Sequence, residues 1–179
     1  MIRKLVHISG TALMTVLLFA SSGLAQTFDV SGGYAWLREE DLTVPKGWYA
    51  AAGVNLNDSF AVFGQLSQHS KEVNVAGVNV DTKLTIWGAG PRITGNQRSG
   101  VTYFAQALLG GAKSKASVSG VSGTDFTDSN FAVQPAVGVD LKAGGVVGVR
   151  LQGGLTFIKA EPEWQREWVF LVGIVYRGG

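Results

Sequence analysis

Three charged residues, Arg92, Asp140 and Arg150, interrupt stretches that otherwise alternate apolar residues with period two. Gln106, Gln134 and Gln152 occupy matching places in neighbouring stretches. Alternation puts these six on the face opposite the bulky apolar side chains, so they point toward whatever the strands enclose. A buried ion costs several kcal/mol unless a partner and hydrogen bonds offset its lost hydration. The chemistry they imply is therefore mutual: an enclosed polar network, with Asp140 paired to Arg150 across the hairpin between them.

Catalytic chemistry has fewer candidates. His69 is the one histidine after residue 25, with Ser67 and Ser70 beside it. Nucleophilic catalysis needs a base near the nucleophile and a third group orienting the base. Spacing supplies no acidic orienter, because Glu72 falls in an expected loop. We read His69 as a solvent-facing histidine at a loop base, and the chain as no enzyme. The absence of Cys excludes disulfides, thiolate metal sites, thiol nucleophiles and a lipid-modified N-terminal Cys. One histidine cannot build a transition-metal site, so neither metal nor cofactor is expected. Gly88 and Gly90 lie within a strand pattern, not in the strand–turn–helix that cradles phosphate. The tract Glu39-Glu40-Asp41 reads as a solvated loop tip.

The elements that position these residues follow from pattern. The chain's 179 residues suit one domain, and 25 Gly with only 4 Pro argue against a disordered one. Of the 15 Lys and Arg, Arg3 and Lys4 belong to an N-terminal leader, which leaves 13 against 13 acidic residues. That balance gives no electrostatic case for nucleic acid. The leader itself reads as a cleaved signal peptide over 1–25. Arg3 and Lys4 form its basic start, Ala12 to Ala20 its apolar run, and Gly23-Leu24-Ala25 its small-residue cleavage site. The run is shorter than a spanning helix requires.

After residue 26 the pattern predicts eight strands, approximately 28–37, 47–56, 60–69, 82–92, 101–112, 131–141, 146–158 and 167–176. Connections after the second, fourth and sixth are compact, whereas those after the first, third and fifth are longer and polar. The longest runs from about Lys113 to Asn130. An even number of amphipathic strands with alternating short and long connections predicts an all-β, eight-stranded antiparallel up-and-down transmembrane β-barrel over 26–179. The fourth strand has the weakest register: placing Arg92 inside sends Trp87 out but Leu84 and Ile86 in.

Aromatic placement supports this. Phe28, Phe60, Tyr103 and Tyr176 fall on the outward face at the short-turn ends of their strands. Trp36, Trp48, Phe131, Phe157 and Trp168 fall outward at the long-loop ends. Amphipathic rings favour the two membrane interfaces, so these residues predict a pair of aromatic girdles.

Trp-Gly-Ala-Gly-Pro-Arg (87–92), Tyr-Phe-Ala-Gln-Ala-Leu-Leu-Gly-Gly-Ala (103–112), Val-Gly-Val-Asp-Leu-Lys (137–142) and Val-Arg-Leu-Gln (149–152) complete the picture. With them the mature chain resembles the small eight-stranded outer-membrane barrels of Gram-negative bacteria, the OmpA/OmpX-like group. The resemblance implies a bacterial outer-membrane location and a last strand, Trp168 to Tyr176, read by the barrel-assembly machinery. Arg177-Gly178-Gly179 departs from it, since such signals end on the aromatic. The family's roles are diverse, so it implies fold and place more than activity.

Eight strands enclose a lumen just wide enough for side chains to fill. The expected function is thus a non-enzymatic barrel in outer-membrane lipid with a plugged polar interior and a structural or surface-interaction role. Loop 113–130 is the expected place for an extracellular partner. The alternatives are a narrow porin for small solutes and a soluble exported barrel binding an apolar ligand.

Overall fold

The computed structural model describes residues 27–39, 42–44, 46–75, 78–95, 100–118, 126–160 and 162–178. The expected signal peptide, 1–25, lies outside the described residues, as do Glu40 and Asp41 of the acidic tract. The elements are β1 (Phe28–Glu39), β2 (Leu42–Val44), β3 (Lys46–Asn55), β4 (Phe60–Val75), β5 (Val78–Gly95), β6 (Val101–Val118), β7 (Phe126–Gly144), β8 (Val147–Ala160) and β9 (Glu163–Gly178). Each of the eight long strands pairs antiparallel with its neighbours, and β9 returns to β1. The three-residue β2 continues the ladder beside the end of β1, from Leu37↔Val44 to Glu39↔Leu42. The result is the expected closed, up-and-down antiparallel barrel of eight strands.

Closure matters because an open strand edge leaves a row of unpaired backbone groups. The β1–β9 seam runs from Phe28↔Gly178 to Arg38↔Trp168 without a break. Elsewhere the ladder skips only where the chain lacks a donor or bends. The β5–β6 ladder omits Gly90-Pro91 and the β7–β8 ladder omits Gln134-Pro135, each resuming in the same register. Proline has no N–H to give, so a gap without a register shift is the expected local cost. The turn after β7 needs a left-handed residue, and Gly145 supplies it with φ of 52°.

Period-two alternation holds in every long strand. Inside, Ala35, Leu37, Tyr49, Ala51, Ile86, Ala112, Ala132, Ile158, Val169 and Leu171 form one apolar cluster, with Leu84 packed on it. Ala61, Phe63 and Leu108 form a smaller one. The register of β5 is the one that puts Arg92 and Ile86 inside and Trp87 outside.

The barrel is taller than the sequence pattern suggested at one end. The segment from Ser70 to Asp81, expected as loop, continues the β4–β5 hairpin to Val75↔Val78. The expected loop 113–130 is mostly strand as well: Ala112 to Ala116 pairs with Asn130 to Phe126. Ser, Thr and Lys on these extensions broke the apolar alternation used to end each strand. A hairpin ladder continues into water regardless of side-chain polarity, because its two strands still pair with each other. Trp164 likewise belongs to β9, not to a loop. We call this the hairpin end, and the end bearing Asn57 to Ser59 and Gly145-Val146 the turn end.

Candidate functional site

The barrel interior is layered. At the turn end, inward parity on four strands delivers Asp29, Asp140, Arg150 and Arg177 to one level. Asp29 is the cross-strand partner of Arg177, and Asp140 of Arg150. Arg150 Nε and Nη2 donate to the two oxygens of Asp140, each at 2.7 Å, and Nη1 donates to Ser31 Oγ at 2.9 Å. Arg177 Nη2 donates to Asp140 Oδ2 at 2.6 Å, and its Nε lies 3.3 Å from Asp29 Oδ1. The bidentate fork is the strong form of the guanidinium–carboxylate contact. Arg150 is fully enclosed, whereas Arg177 is about a third exposed and closes the mouth.

One step inward, Arg92 lies between two rings. Its guanidinium carbon is 3.4 Å from the Phe63 centroid and 4.1 Å from that of Phe104. Arg92 Nε donates to Gln106 Oε1 at 2.9 Å, and the amide nitrogens of Gln106 and Gln152 converge on Gln65 Oε1 at 3.4 and 3.2 Å. No carboxylate ion pair to Arg92 occurs among the described residues. The aromatic faces and the Gln106 carbonyl stabilise its charge instead, as cation–π contacts strengthen once water is excluded. Arg150 lies 5.6 and 5.1 Å from the same two ring centroids, which ties the layers together.

The structure thus brings five of the six expected lumen residues into two adjoining layers. Gln134 stands apart, donating to Thr156 Oγ1 at 3.3 Å. The sequence reading left Asp29, Ser31, Gln65, Phe63, Phe104 and Arg177 out of this network. Parity was enough to find the first five, each opposite an outward apolar residue. Arg177 was missed because the strand was ended at Tyr176, although it continues the inward series Val169, Leu171, Val175.

His69 is corrected more sharply. It is not a solvent-facing loop residue but sits inside β4, 1 % exposed, with neither ring nitrogen hydrogen-bonded. Its ring lies over Gly47, where an added Cβ would stand 2.7 Å from Nδ1. The alternation that ended the third expected strand at this residue simply continues past it. Glu72, expected in a loop, is also in β4, paired with Asp81.

On the outside, Phe28, Phe60, Tyr103 and Tyr176 face outward at the turn end. Trp36, Trp48, Phe131 and Trp168 do so toward the hairpin end, with Phe157 outward but half-buried. Phe28 packs on Tyr176 at 6.0 Å between centroids. Trp87 and Trp164 are outward too, so all five tryptophans of the chain face away from the lumen in its hairpin half.

This architecture is shared with solved structures. Ail, the attachment invasion locus protein of Yersinia pestis, in complex with the heparin analogue sucrose octasulfate, matches with a TM-score of 0.64 and 17 % identity. The match covers 87 % of this chain and 100 % of that one. Neisserial surface protein A matches with a TM-score of 0.59 and 15 % identity, over 84 % of this chain and 96 % of that one. The N-terminal β-barrel domain of Pseudomonas aeruginosa OprF matches with 0.57 and 11 %, over 85 % and 97 %. This chain has the fold of the small eight-stranded barrels. At such identities the likeness speaks for fold alone. No protein-family model matches the chain, and no curated protein does.

Proposed function

We propose that this chain is an integral protein of the bacterial outer membrane, non-enzymatic, with a plugged interior and a structural or surface-interaction role. The observation that carries the reading is the reversal of polarity. Arg92, Arg150, Asp29 and Asp140 are buried inside, while Val30, Phe60, Leu109, Val137, Phe170 and Ile174 are exposed outside. Water would drive those apolar residues inward; lipid accommodates them where they are. A soluble barrel for an apolar ligand needs the opposite arrangement. The closed ladder supports the same reading, because hydrocarbon supplies no partner for an unpaired backbone group.

In this reading the turn end faces the periplasm, residues 1–25 are the removed export signal, and β9 is the segment the assembly machinery engages. The lumen is blocked twice, by the Asp29/Asp140/Arg150/Arg177 layer and by Arg92 between Phe63 and Phe104. Moving either arginine aside would strand a charge away from its partners, which is why the plug is static and conduction is not the function. The hairpin end, continuing β4–β5 and β6–β7 past the aromatic residues, is the surface available to outside partners.

The test is fractionation with outer membranes, heat-modifiable gel mobility and a planar-bilayer trace of the folded protein. We expect membrane fractionation, a mobility shift on boiling and no steady conductance. Recovery in the soluble fraction would overturn the location, and reproducible single-channel steps would overturn the plug in favour of a narrow pore.

A further inference from the structure

Among the described side chains, cations outnumber carboxylates at the turn end of the lumen. Asp29 and Asp140 face Arg150 and Arg177 there, and these four groups balance one another. Both oxygens of Asp140 are engaged, by Arg150 Nε and Nη2 and by Arg177 Nη2. Lys142 is left over. It is the cross-strand partner of Gly148, which is buried on the inner face, so Lys142 stands on the inner side at the mouth. It is exposed, and among the described side chains it has no ion-pair partner. One layer deeper, Arg92 adds a second cation without a carboxylate, and its Nη1 has no hydrogen-bond partner.

These side chains border a cavity. It measures about 250 Å³ and is lined by Thr102, Asp140, Lys142, Gly148, Val175 and Arg177, with the Gly145-Val146 turn at its rim. Gly148 leaves room beside Lys142: a Cβ there would stand 2.8 Å from the Leu141 carbonyl oxygen and 3.2 Å from Val175 Cγ1. The lining is rich in donors. Lys142 brings an ammonium group, which donates and cannot accept. Thr102 is buried and accepts from Arg177 Nη1 at 3.4 Å, which leaves its own hydroxyl hydrogen to donate. Arg177, about a third exposed, turns part of its guanidinium to the same space. Asp140 is the one carboxylate in the lining, and two arginines already offset its charge.

We propose that this mouth is a binding site for a small tetrahedral oxyanion of the phosphate class. Donors reach the cavity from β6, β7 and β9, and donors arriving from several directions suit a tetrahedral oxyanion better than a planar carboxylate. The cavity is smaller than the roughly 300–1,000 Å³ that encloses a drug-sized ligand, which matches an ion of a few atoms. Hydrogen bonds from ammonium and guanidinium groups to such an ion are about twice as strong as neutral ones. The ion supplies the counter-charge that Lys142 lacks. The geometry is the same whatever surrounds the outer wall; on the membrane reading above, the site opens to the periplasm.

The test titrates inorganic phosphate into the isotope-labelled full chain, folded in non-ionic detergent micelles, and follows backbone amide shifts. Sodium chloride at matched ionic strength and sodium acetate are separate arms. We expect phosphate to give saturable shifts at Thr102, Lys142, Gly145 to Gly148 and Arg177, and none at Lys83, Lys113 and Lys115 of the opposite end. Lys142 lies outside the arginine–aspartate layer, so replacing it leaves the plug in place. Lys142→Gln should weaken phosphate binding about tenfold, the loss of one charge-assisted hydrogen bond, and Lys142→Arg should stay within about threefold of wild type. Shifts that stay linear in phosphate, that appear equally at the hairpin-end lysines, or that chloride or acetate reproduces overturn the proposal, and none of these outcomes needs a variant. A Lys142→Gln chain that binds phosphate within about threefold of wild type overturns it too.

Discussion

At the residue scale the account turns on Asp140. It receives both arms of Arg150 and one of Arg177, so three strands are joined through one carboxylate. Asp140→Ala would leave Arg150 enclosed with only Ser31 and a longer contact to Asp29. Stranding one member of a buried pair costs about 3–5 kcal/mol. We expect that loss in the urea midpoint of the protein folded in lipid vesicles. Adding Arg150→Ala should recover part of it, because the double variant has no stranded charge; a double variant as unstable as the sum of both singles would contradict the pairing. Parity made this pair legible in the sequence, since Asp140 and Arg150 stand at inward positions on both sides of a short turn. The rest of the layer needed the closed register: Asp29 and Arg177 are far apart in the chain, and only the β1–β9 seam sets them side by side.

At the scale of elements, the strands were legible where apolar side chains alternate and illegible where they do not. Tyr103 to Leu109 alternates because one face must be apolar, while Lys113 to Ala116 obeys no such demand yet stays in the ladder opposite Phe126 to Ser129. Hydrogen exchange separates the two readings of that stretch. Amides of Lys113 to Ala116, paired with both β5 and β7, should exchange slowly, and exchange at the rate of a free loop would show that the hairpin does not persist. His69 belongs to the same lesson. Its polarity suggested solvent, but its odd position in β4, in step with Phe63, Gln65 and Ser67, put it inside.

At the scale of the whole molecule, the claim is that one continuous outward face of the barrel meets lipid and the lumen does not conduct. A charge placed on that face should therefore be costly according to depth. Ala107→Arg, outward on β6 midway between Tyr103 and Gly111, should lose about 2–4 kcal/mol of stability in vesicles, against about 0–1 for an arginine near the interface. Equal, small costs at both heights would mean water, not hydrocarbon, surrounds the wall. The most direct measurement uses the tryptophans. Trp36, Trp48, Trp87, Trp164 and Trp168 all face outward in the hairpin half, and none lies in the lumen. With the protein folded in vesicles of brominated phospholipid, their fluorescence should be quenched strongly by bromine near the headgroup end of the acyl chain and weakly by bromine at its terminus. Fluorescence that no brominated lipid quenches would contradict the account at its centre.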